Sequence, residues 1–519
     1  MERPEVAFRV ASVTDVAADA VVVNLFEGVR SPGGATGAVD AALGGAIREA
    51  IACGELRGRL GETLVIHTLG RLPARRVIVA GLGPREEFGR RAAREASAAA
   101  LRAARRHGCR TVATIAHGAG IGGLDPRVAA LATVEGGLLG LYRYRPRPAS
   151  GGRAHSPDED AGGRVEQLWL IDRTDQQRQA LEAGLEEGRI IAEAVMTARE
   201  LGNRPANDLT PPRLADAARE LERLEGVRVE VLDEEALRSR GFGAILAVAA
   251  GSAQPPRLAV ITYTGPGRGD AGPADVALVG KGVTFDSGGI SLKSREGMED
   301  MKFDMMGAAA VIGAISAIAR LRLPLKVLGM VAAVENLPGG RAFKPGDVIT
   351  TYAGKTVEIN NTDAEGRLIL ADALAYAREL GTRRLVDLAT LTGAMVIALG
   401  DEVAGMMAND DHWAARVSRA AESAGEMLWR LPLVAAYRER LRSQYADIRN
   451  TGGRPAGSIT AALFLQEFVG DTPWAHLDIA GVAWSDKVAG DHGKGATGYG
   501  VRTLVELARQ LAAEATGER

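Results

Sequence analysis

The sequence predicts an α/β protein with two domains, and three observations lead to this prediction. The chain has 519 residues, which is more than one ordinary hydrophobic core accommodates. Short apolar runs typical of buried strands alternate with longer stretches of helical periodicity. One long helical stretch followed by a sharp break separates two such alternating regions.

The first alternating region extends to about residue 175. Its strands are predicted at 21–26, 76–81 and 111–117, and an Ala/Arg-rich helix is predicted at 90–107. Residues 149–163 are rich in Gly, Ser, Pro and acidic residues and have no periodicity, which predicts a surface loop. We therefore predict an N-terminal α/β domain at 1–175.

A linker helix is predicted at 176–204, and the break at Asn203–Asp208 ends it. The remaining residues, 205–519, form the second predicted domain. Its elements are strands at 275–280, 325–334, 356–360 and 385–390, and helices at 304–319 and 366–380.

Composition and charge exclude several classes of function. The net charge is -2, so the chain as a whole has no electrostatic attraction to nucleic acid or to an anionic membrane. Six arginines on the predicted helix at 90–107 are interpreted as a solvated face, and no nucleic-acid partner is expected. The longest apolar run, 308–319, is too short to span a bilayer. The N-terminus has no secretion signal pattern, so we expect a cytoplasmic protein without a membrane partner.

Lysine is rare and unevenly placed. Of 63 basic residues other than histidine, the lysines are only those at 281, 293, 302, 326, 344, 355, 487 and 494. Lysine can lose its proton in a protein whereas arginine cannot. Some of these lysines are therefore candidates for a site that needs a neutral amine or a compact point charge, although chance retention on the surface explains any single one equally well.

Three segments of the second domain concentrate acidic residues near predicted strand ends. The Gly-rich segment 279–293 contains Lys281, Asp286 and Lys293, matches neither a phosphate-binding nor a dinucleotide-binding pattern, and could be a structural turn. Asp304 precedes an apolar helix and could be its N-cap. In the segment 360–368, an extended backbone would turn alternate residues to one face, namely Asp363, Glu365 and Arg367, and the alternative is a solvated acidic turn.

If these segments converge, four carboxylates meet in one cleft, where they require cations to remain ionised. No histidine lies between residues 156 and 411, and a carboxylate site without histidine suits Mn²⁺, Mg²⁺ or Zn²⁺. Four carboxylates are more than one ion usually requires, so two bridged ions that activate a shared water are predicted.

Two other classes of function fit part of this pattern. A two-metal phosphoesterase would carry more histidine ligands and a basic pocket for phosphate. A non-catalytic scaffold, including a DNA-binding one, would have lost one or more residues of the site, and none is lost.

The motifs in the second domain resemble the leucyl aminopeptidase family, also called cytosol aminopeptidases or M17 peptidases. The resemblance covers about residues 180–510, and its most specific part is the octapeptide Asn361–Leu368. Further matches are Asn207–Pro211, Gly280–Lys293, Gly297–Ala310, Lys344–Asp347, His476–Gly481 and Gly495–Gly498. The first 170 residues resemble the family in length and α/β character alone.

The resemblance implies a role for each site residue. One metal would be held by Lys281 as a free amine together with Asp286, Asp304 and Glu365, and the other by Asp286, Asp363 and Glu365, with Asp286 and Glu365 bridging. Lys293 would stabilise the oxyanion of the scissile carbonyl. Arg367 would hold a bicarbonate ion that takes the proton from the bridging water.

The resemblance also implies the substrate, the fold and the assembly. The substrates are peptides with a free N-terminus, cleaved one residue at a time with leucine and similar residues preferred, and the metals are two Mn²⁺ or Zn²⁺ ions per subunit. The first side-chain pocket corresponds to Met301, Thr390 and Gly393, and Ala483 stands where relatives often carry a bulkier residue. A smaller N-terminal α/β domain precedes a larger catalytic domain with a mixed sheet, and the chains form homohexamers.

Overall fold

The computed structural model describes residues 4–145 and 163–516 and divides the chain into two compact units. The first unit comprises residues 1–193 with 487–493, and the second comprises 194–486 with 494–519. The loop predicted at 149–163 lies outside the described residues except for its last residue.

The first unit is built on a sheet of six strands. They are β1 (Glu5–Val10), β2 (Ala20–Leu25), β3 (Thr63–His67), β4 (Arg76–Gly81), β5 (Thr111–Thr114) and β6 (Gln167–Asp172). Their order across the sheet is β1-β6-β5-β2-β4-β3. Only β3 runs antiparallel to its neighbour. Crossover connections therefore join most of these strands, as the alternating sequence pattern predicts.

Helices cover both faces of this sheet. They are α1 (Gly34–Ala42), α2 (Ala46–Ala52), α3 (Arg90–Arg106), α4 (Pro126–Leu141) and α5 (Arg178–Asn203), the last of which ends in the second unit. Val39 of α1 and Ile47 of α2 belong to the core on one face, with Val21 of β2. The alanines of α3 pack on the opposite face, where they meet the alternate residues of β2 and β4.

The arginines of α3 do not form the solvated stripe that the sequence suggested. Arg94 is 4% exposed, and its guanidinium lies 2.9 Å from the Asp491 carboxylate. Arg90 and Arg94 also face the buried carboxylate of Glu135. Arg102 donates to the carbonyl of Gly490 at 2.8 Å. These arginines are therefore held by contacts within the first unit.

The second unit contains a mixed sheet of eight strands and two small sheets. The strands are β7 (Val227–Leu232), β8 (Arg257–Thr264), β9 (Val276–Asp286), β10 (Lys326–Asn336), β11 (Val348–Thr350), β12 (Thr356–Glu358), β13 (Leu385–Ala389), β14 (Ala404–Ala408), β15 (Leu428–Arg430), β16 (Ile448–Arg449), β17 (Trp474–Asp478), β18 (Trp484–Ser485) and β19 (Gly495–Ala496). The order in the large sheet is β15-β14-β17-β13-β9-β10-β8-β7. The four central strands β17, β13, β9 and β10 are parallel to one another. On one side β8 runs antiparallel to β10, and β7 runs antiparallel to β8. On the other side β14 runs antiparallel to β17 and is parallel to β15.

Helices of the second unit pack on both faces of the large sheet. They are α6 (Pro211–Arg219), α7 (Glu234–Ser239), α8 (Gly243–Ala249), α9 (Met306–Arg320), α10 (Gly366–Glu379), α11 (Gly393–Leu399), α12 (Asp411–Ala424), α13 (Gly457–Gln466) and α14 (Val501–Thr516). The core on one face contains apolar residues of α8, α10 and α13. A smaller α/β unit followed by a larger one with a mixed sheet confirms the predicted fold class.

The apolar run at 308–319 belongs to a longer helical segment of the second unit. A 3₁₀ segment, Met298–Phe303, precedes α9, and the helical stretch 298–320 reaches a length and composition that could cross a membrane. The run 308–319 itself lies within the 15 residues of α9, which is shorter than a membrane-spanning helix. Moreover, 78% of the apolar window is buried within the protein, as in a core helix.

Candidate metal centre

The candidate residues gather where β9, β10 and β13 end and α10 begins. Lys281 and Asp286 lie on β9 itself, which continues six residues beyond the predicted strand end at 280. Glu365 is the residue that precedes α10. The carboxyl ends of neighbouring parallel strands meet at one edge of a sheet, which is where sites form in open α/β folds.

A β-bulge places Lys281 and Asp286 on the same face of β9. Side chains alternate along a strand, so residues five apart normally point to opposite faces. In the pairing with β10, Val283 faces Val334 and Phe285 faces Glu335, which leaves Thr284 as an extra residue. The extra residue shifts the alternation by one and brings Asp286 to the face of Lys281.

Lys281 is enclosed by acceptors. Its ammonium lies 2.8 and 2.7 Å from the two carboxylate oxygens of Asp304 and 2.9 Å from Oε1 of Glu365. It also donates to the carbonyl of Thr390 at 2.9 Å. Gly366 permits this packing, because a Cβ at that position would lie 2.5 Å from Cε of Lys281.

Lys293 links two further carboxylates. Its ammonium lies 2.8 Å from Oδ2 of Asp286 and contacts Oδ1 of Asp363. The other oxygen of Asp286 accepts from the backbone N–H of Gly288 at 2.9 Å and from the side-chain amide of Asn336 at 2.8 Å. Asp286 is therefore fixed on one side by hydrogen bonds and faces the cluster with the other.

Asp304 is not the N-cap of the apolar helix. Met305 occupies that position without a side-chain capping bond, and α9 begins at Met306. Oδ1 of Asp304 instead accepts from the Thr390 hydroxyl at 2.7 Å and from Lys281. The capping alternative for Asp304 is therefore wrong, because the carboxylate points to neighbouring strands rather than to its own helix.

The acidic segment before α10 is a turn and a helix start rather than an extended strand. Glu365 has helical dihedral angles, and Arg367 lies within the first turn of α10. The extended-backbone argument for a shared face of Asp363, Glu365 and Arg367 is thus wrong in its geometry. Carboxylate oxygens of Asp286, Asp363 and Glu365 nevertheless lie within 4.8 Å of one another.

Arg367 is buried beside this group without a direct contact to it. It donates through Nη1 to the carbonyl of Asn450 at 2.8 Å, and its Nε has no hydrogen-bond partner among the described residues. Burial lowers the pKa of Arg367 to about 10, against the attraction of Glu365, Asp478 and Asp363. The guanidinium is therefore cationic at neutral pH and has an unused donor.

Burial and mutual repulsion dominate the electrostatics of the four carboxylates. Burial raises the pKa of Asp304 to about 8 and that of Asp363 to about 6, and the neighbouring carboxylates add to the shift. Burial also opposes ionisation of Glu365, but Lys281 and Lys293 outweigh it and lower its pKa. A pKa of about 8 leaves Asp304 mostly protonated at neutral pH, so the cluster carries its full negative charge only when an added cation stabilises it.

These residues fit divalent cations. Four carboxylates face two ammonium groups, so two negative charges would lack a partner if all four carboxylates were ionised. Oε2 of Glu365 is buried and has no hydrogen-bond partner in the described ranges 4–145 and 163–516. Buried carboxylates with unused oxygens are the donors that hard and borderline divalent ions take.

The structure adds Asn336 to the site, which the sequence analysis missed. This residue ends β10 opposite Asp286, is fully buried, and donates to Asp286 and to the Thr362 carbonyl. A polar residue at the carboxyl end of a long apolar strand was the signal that could have revealed it. Of the predicted pocket residues, Thr390 joins the cluster, whereas no hydrogen bond or ion pair of the described residues links Met301, Gly393 or Ala483 to it.

An α/β sheet whose strand ends carry a buried set of carboxylates suited to divalent ions defines a metal-dependent hydrolase. Comparison with known proteins narrows this class. The model of the cytosol aminopeptidase family catalytic domain matches residues 196–505, and that of the family's N-terminal domain matches residues 22–146. The chain therefore belongs to the cytosol aminopeptidase family, as its motifs predict, and is a metal-dependent exopeptidase.

Individual relatives agree over nearly the whole chain. A probable cytosol aminopeptidase of Alkaliphilus metalliredigens is 42% identical over 499 residues, which are 96% of this chain and 98% of the relative. One from Roseiflexus castenholzii is 47% identical over 457 residues, 88% and 91% of the two chains.

Two solved structures are similar in fold. The bottromycin maturation enzyme BotP in complex with Mn has a TM-score of 0.81 at 38% identity, covering 96% of this chain and 100% of that one. A mutant of tomato leucine aminopeptidase has a TM-score of 0.85 at 34% identity, covering 98% and 97%.

Proposed function

We propose that this protein removes single amino acids from the free N-terminus of peptides, with leucine and similar residues preferred. The observation that supports this proposal is the buried cluster of four carboxylates and two lysines in a chain of the cytosol aminopeptidase family. The family membership also disfavours the phosphoesterase and scaffold alternatives.

The proposed ligands form two sets that share two residues. Asp286 and Glu365 would belong to both sets, Lys281 and Asp304 would complete one, and Asp363 would complete the other. The ions would be Mn²⁺ or Zn²⁺, and they would supply Lewis-acid activation of the scissile carbonyl and of a water, and a position for the substrate's free amine. Lys281 must donate a lone pair, and a cation among the same carboxylates opposes the protonation that Asp304 and Glu365 favour.

Two cationic residues would act on the substrate without holding a metal. Lys293 has a side chain that is 24% exposed, so its ammonium can reach a ligand in the cleft and stabilise the negative charge on the carbonyl oxygen. Arg367 would hold a bicarbonate ion, which the unused Nε donor on its buried guanidinium supports. Met301, Thr390, Gly393 and Ala483 would form the pocket for the first side chain.

Further proposals concern the protein as a whole. Residues 205–519 would carry catalysis, 1–175 would form a separate N-terminal domain, and 176–204 would connect them. The protein would work in the cytoplasm as a homohexamer, without membrane or nucleic-acid partners. These proposals follow the names of the relatives and the resemblance of the motifs.

The activity can be tested with a pair of substrates and a chelator. We expect leucine amide to be hydrolysed and its N-acetylated form to resist, because an amide nitrogen is a poor metal ligand. Chelation should abolish turnover, and Mn²⁺ or Zn²⁺ should restore it. Full activity in a protein shown by elemental analysis to be metal-free, or equal turnover of the two substrates, would refute the proposal.

The two lysines of the cluster should respond differently to substitution. Lys281→Arg should lose one metal, because a guanidinium cannot donate a lone pair. Lys293→Ala should keep both metals and lose on the order of 10²–10³ in kcat, as for an oxyanion donor. Lys355→Arg, at a lysine 2.6 Å from Glu467, is a matched control that should keep metals and rate. Metal loss in Lys293→Ala together with full metal content in Lys281→Arg would reverse the assignment.

A further inference from the structure

The first unit contains a cavity of about 290 Å³ that the peptidase activity does not use. Its walls come from the carboxyl ends of β2, β4, β5 and β6 and from the loops that follow them. All its lining residues lie between 24 and 181, within the first unit. The volume is close to the lower end of small-molecule pockets, on the order of 300 Å³.

The cavity lies where the connections of the sheet diverge. After β2 the chain passes over one face through α1 and α2 toward β3 and β4, whereas after β5 it passes over the other face through α4 toward β6. Because β2 and β5 are neighbours, their connections leave a crevice between them. Open α/β sheets bind ligands in this crevice.

One end of the cavity suits an anion. Gly33 and Gly34 line it and begin α1, which has no side-chain cap and no acidic residue in its first turn. The first N–H groups of an uncapped helix and its dipole attract phosphate. There is open space beside Gly33, because the atom nearest to a Cβ built there belongs to Ile121 and lies 3.9 Å away.

The remaining walls suit a flat, mostly apolar group with a polar edge. Ile115, Ile171 and Leu181 supply apolar surface, and Asp172 supplies a carboxylate at the end of β6. β6 lies two strands from β2, which places the carboxylate about 10 Å from the strand that leads into α1. A carboxylate there repels a second phosphate but accepts hydrogen bonds from amino or hydroxyl groups.

A buried imidazole beside the cavity has an unsatisfied nitrogen. His117 is fully buried between the lining residues Ala116 and Gly118, and its Nδ1 lies 3.0 Å from the amide nitrogen of Asn24, which also lines the cavity. Its Nε2 has no hydrogen-bond partner in the part of the chain that the structure describes. His117 is not among the residues that line the cavity, and its imidazole borders the site through Asn24.

We propose that the first unit binds a nucleotide in this cavity, with the phosphate at the N-terminus of α1, the base between the apolar walls and a polar edge toward Asp172. The proposal does not depend on the peptidase activity, because none of its residues belongs to the carboxylate–lysine cluster.

Calorimetric titration of the full chain tests this proposal. Adenosine and guanosine monophosphates, the two nucleosides and inorganic phosphate serve as probes. At least one nucleotide should bind about tenfold or more tightly than its nucleoside or phosphate alone, because only the nucleotide satisfies both ends. If neither nucleotide binds, or if each binds no more tightly than phosphate, the proposal is wrong.

A matched pair of substitutions locates the site. Gly33→Asp supplies an N-cap carboxylate that occupies the free N–H groups and repels phosphate, while it stabilises the helix. It should weaken nucleotide binding about tenfold or more. Gly89→Asp makes the same change at α3, whose N-cap also has no side-chain bond and has no atom within 4 Å of a built Cβ.

The Gly89 variant should bind like the unmodified chain. Equal binding by all three proteins would overturn the proposal. Peptidase activity measured in parallel should be the same in all three, so that a failure of nucleotide binding is distinguished from a failure of the proposed exopeptidase function.

Discussion

The two large sheets of this protein share a layout and differ in what their strands carry at the carboxyl ends. In the first unit, the ends of β2, β5 and β6 lead into glycine-rich loops and apolar side chains around a cavity. In the second unit, the ends of β9, β10 and β13 and the start of α10 carry carboxylates, lysines and amides packed against one another. The backbone arrangement brings strand ends together in both units, and the residue types placed there determine the chemistry.

The comparison also concerns how each unit treats buried polar groups. Lys281 of the second unit is buried between partners of opposite charge, Asp304 and Glu365. His117 of the first unit is equally buried, and burial lowers its pKa to about 4. Lys281 thus keeps its charge by pairing, as Arg94 of the first unit does with Asp491, whereas His117 stays neutral.

The largest effect is expected at the carboxylate that both proposed metals share. Asp286→Asn keeps the shape of the side chain but removes its charge. Because a metal centre supplies several kcal/mol of charge stabilisation, we expect kcat/KM to fall on the order of 10³-fold, with loss of bound metal. Glu335→Gln is the control, since Glu335 lies on the neighbouring strand, turns to the other face and bonds Ser252. Full activity of Asp286→Asn would show that the charged residues at the strand ends do not account for the difference in chemistry between the two units.

A smaller effect is expected at the amide that orients Asp286. Asn336→Ala removes the 2.8 Å hydrogen bond to Asp286 but leaves every proposed ligand in place. Outer partners of this kind typically change metal affinity by about 10–100-fold, so excess metal should restore activity. Asn409→Ala removes a comparable amide that bonds the backbone at Thr472 and Trp474, and it should leave metal affinity unchanged. An equal loss of affinity in both variants would indicate general destabilisation instead.

The smallest effect concerns His117 and His476, the two histidines that are buried among the residues that the structure describes. The folded pKa of His117 lies below the unfolded value of 6.5, so its contribution to stability is complete above 6.5 and is lost as the pH falls toward 4. Between about pH 7.5 and pH 5.5, the unmodified chain should lose about 1.4 kcal/mol more stability than His117→Asn does. Amide hydrogen exchange of β5 measures this difference.

His476 provides the opposite case. It is also fully buried, but Asp387 lies 2.6 Å from its Nδ1 and raises its pKa against the effect of burial. Its contribution is therefore present below 6.5 and is lost as the pH rises through the folded pKa. As the pH falls, the unmodified chain should therefore gain stability relative to His476→Asn, whereas it loses stability relative to His117→Asn. A change of the same sign in both comparisons would contradict the distinction between a buried histidine with a charged partner and one without.

Regular elements and motif residues could be predicted from the sequence, because periodicity and specific motifs are local properties. The strand at 76–81 matches β4, and the helix at 366–380 matches α10 within one residue. Lys281, Asp286, Asp304, Asp363, Glu365 and Lys293 were each singled out, and the structure brings them into one cluster.

Long-range geometry could not be predicted in the same way. The strand predicted to end at 280 continues to Asp286, because β10 pairs with β9 as far as Asp286, whereas the pairing with β13 ends at Gly280. Asp304 appeared to be a helix cap because its tertiary partner Thr390 lies 86 residues away. The local signal of Asn336 is only that of a polar residue at the end of an apolar strand, and its role follows from pairing with Asp286 on the neighbouring strand.

The extra residue at Thr284 makes the number of residues between Lys281 and Asp286 a structural requirement. Replacing a side chain there leaves the count of residues unchanged, so both functional side chains keep the same phase along the strand. Removing or inserting one residue would invert that phase and turn one of the two away from the other, even if every hydrogen bond of the ladder re-formed. For residues 282–285, length is therefore a requirement beside composition, which is itself restricted at Gly282, where a Cβ would lie 2.5 Å from the Ala332 carbonyl oxygen.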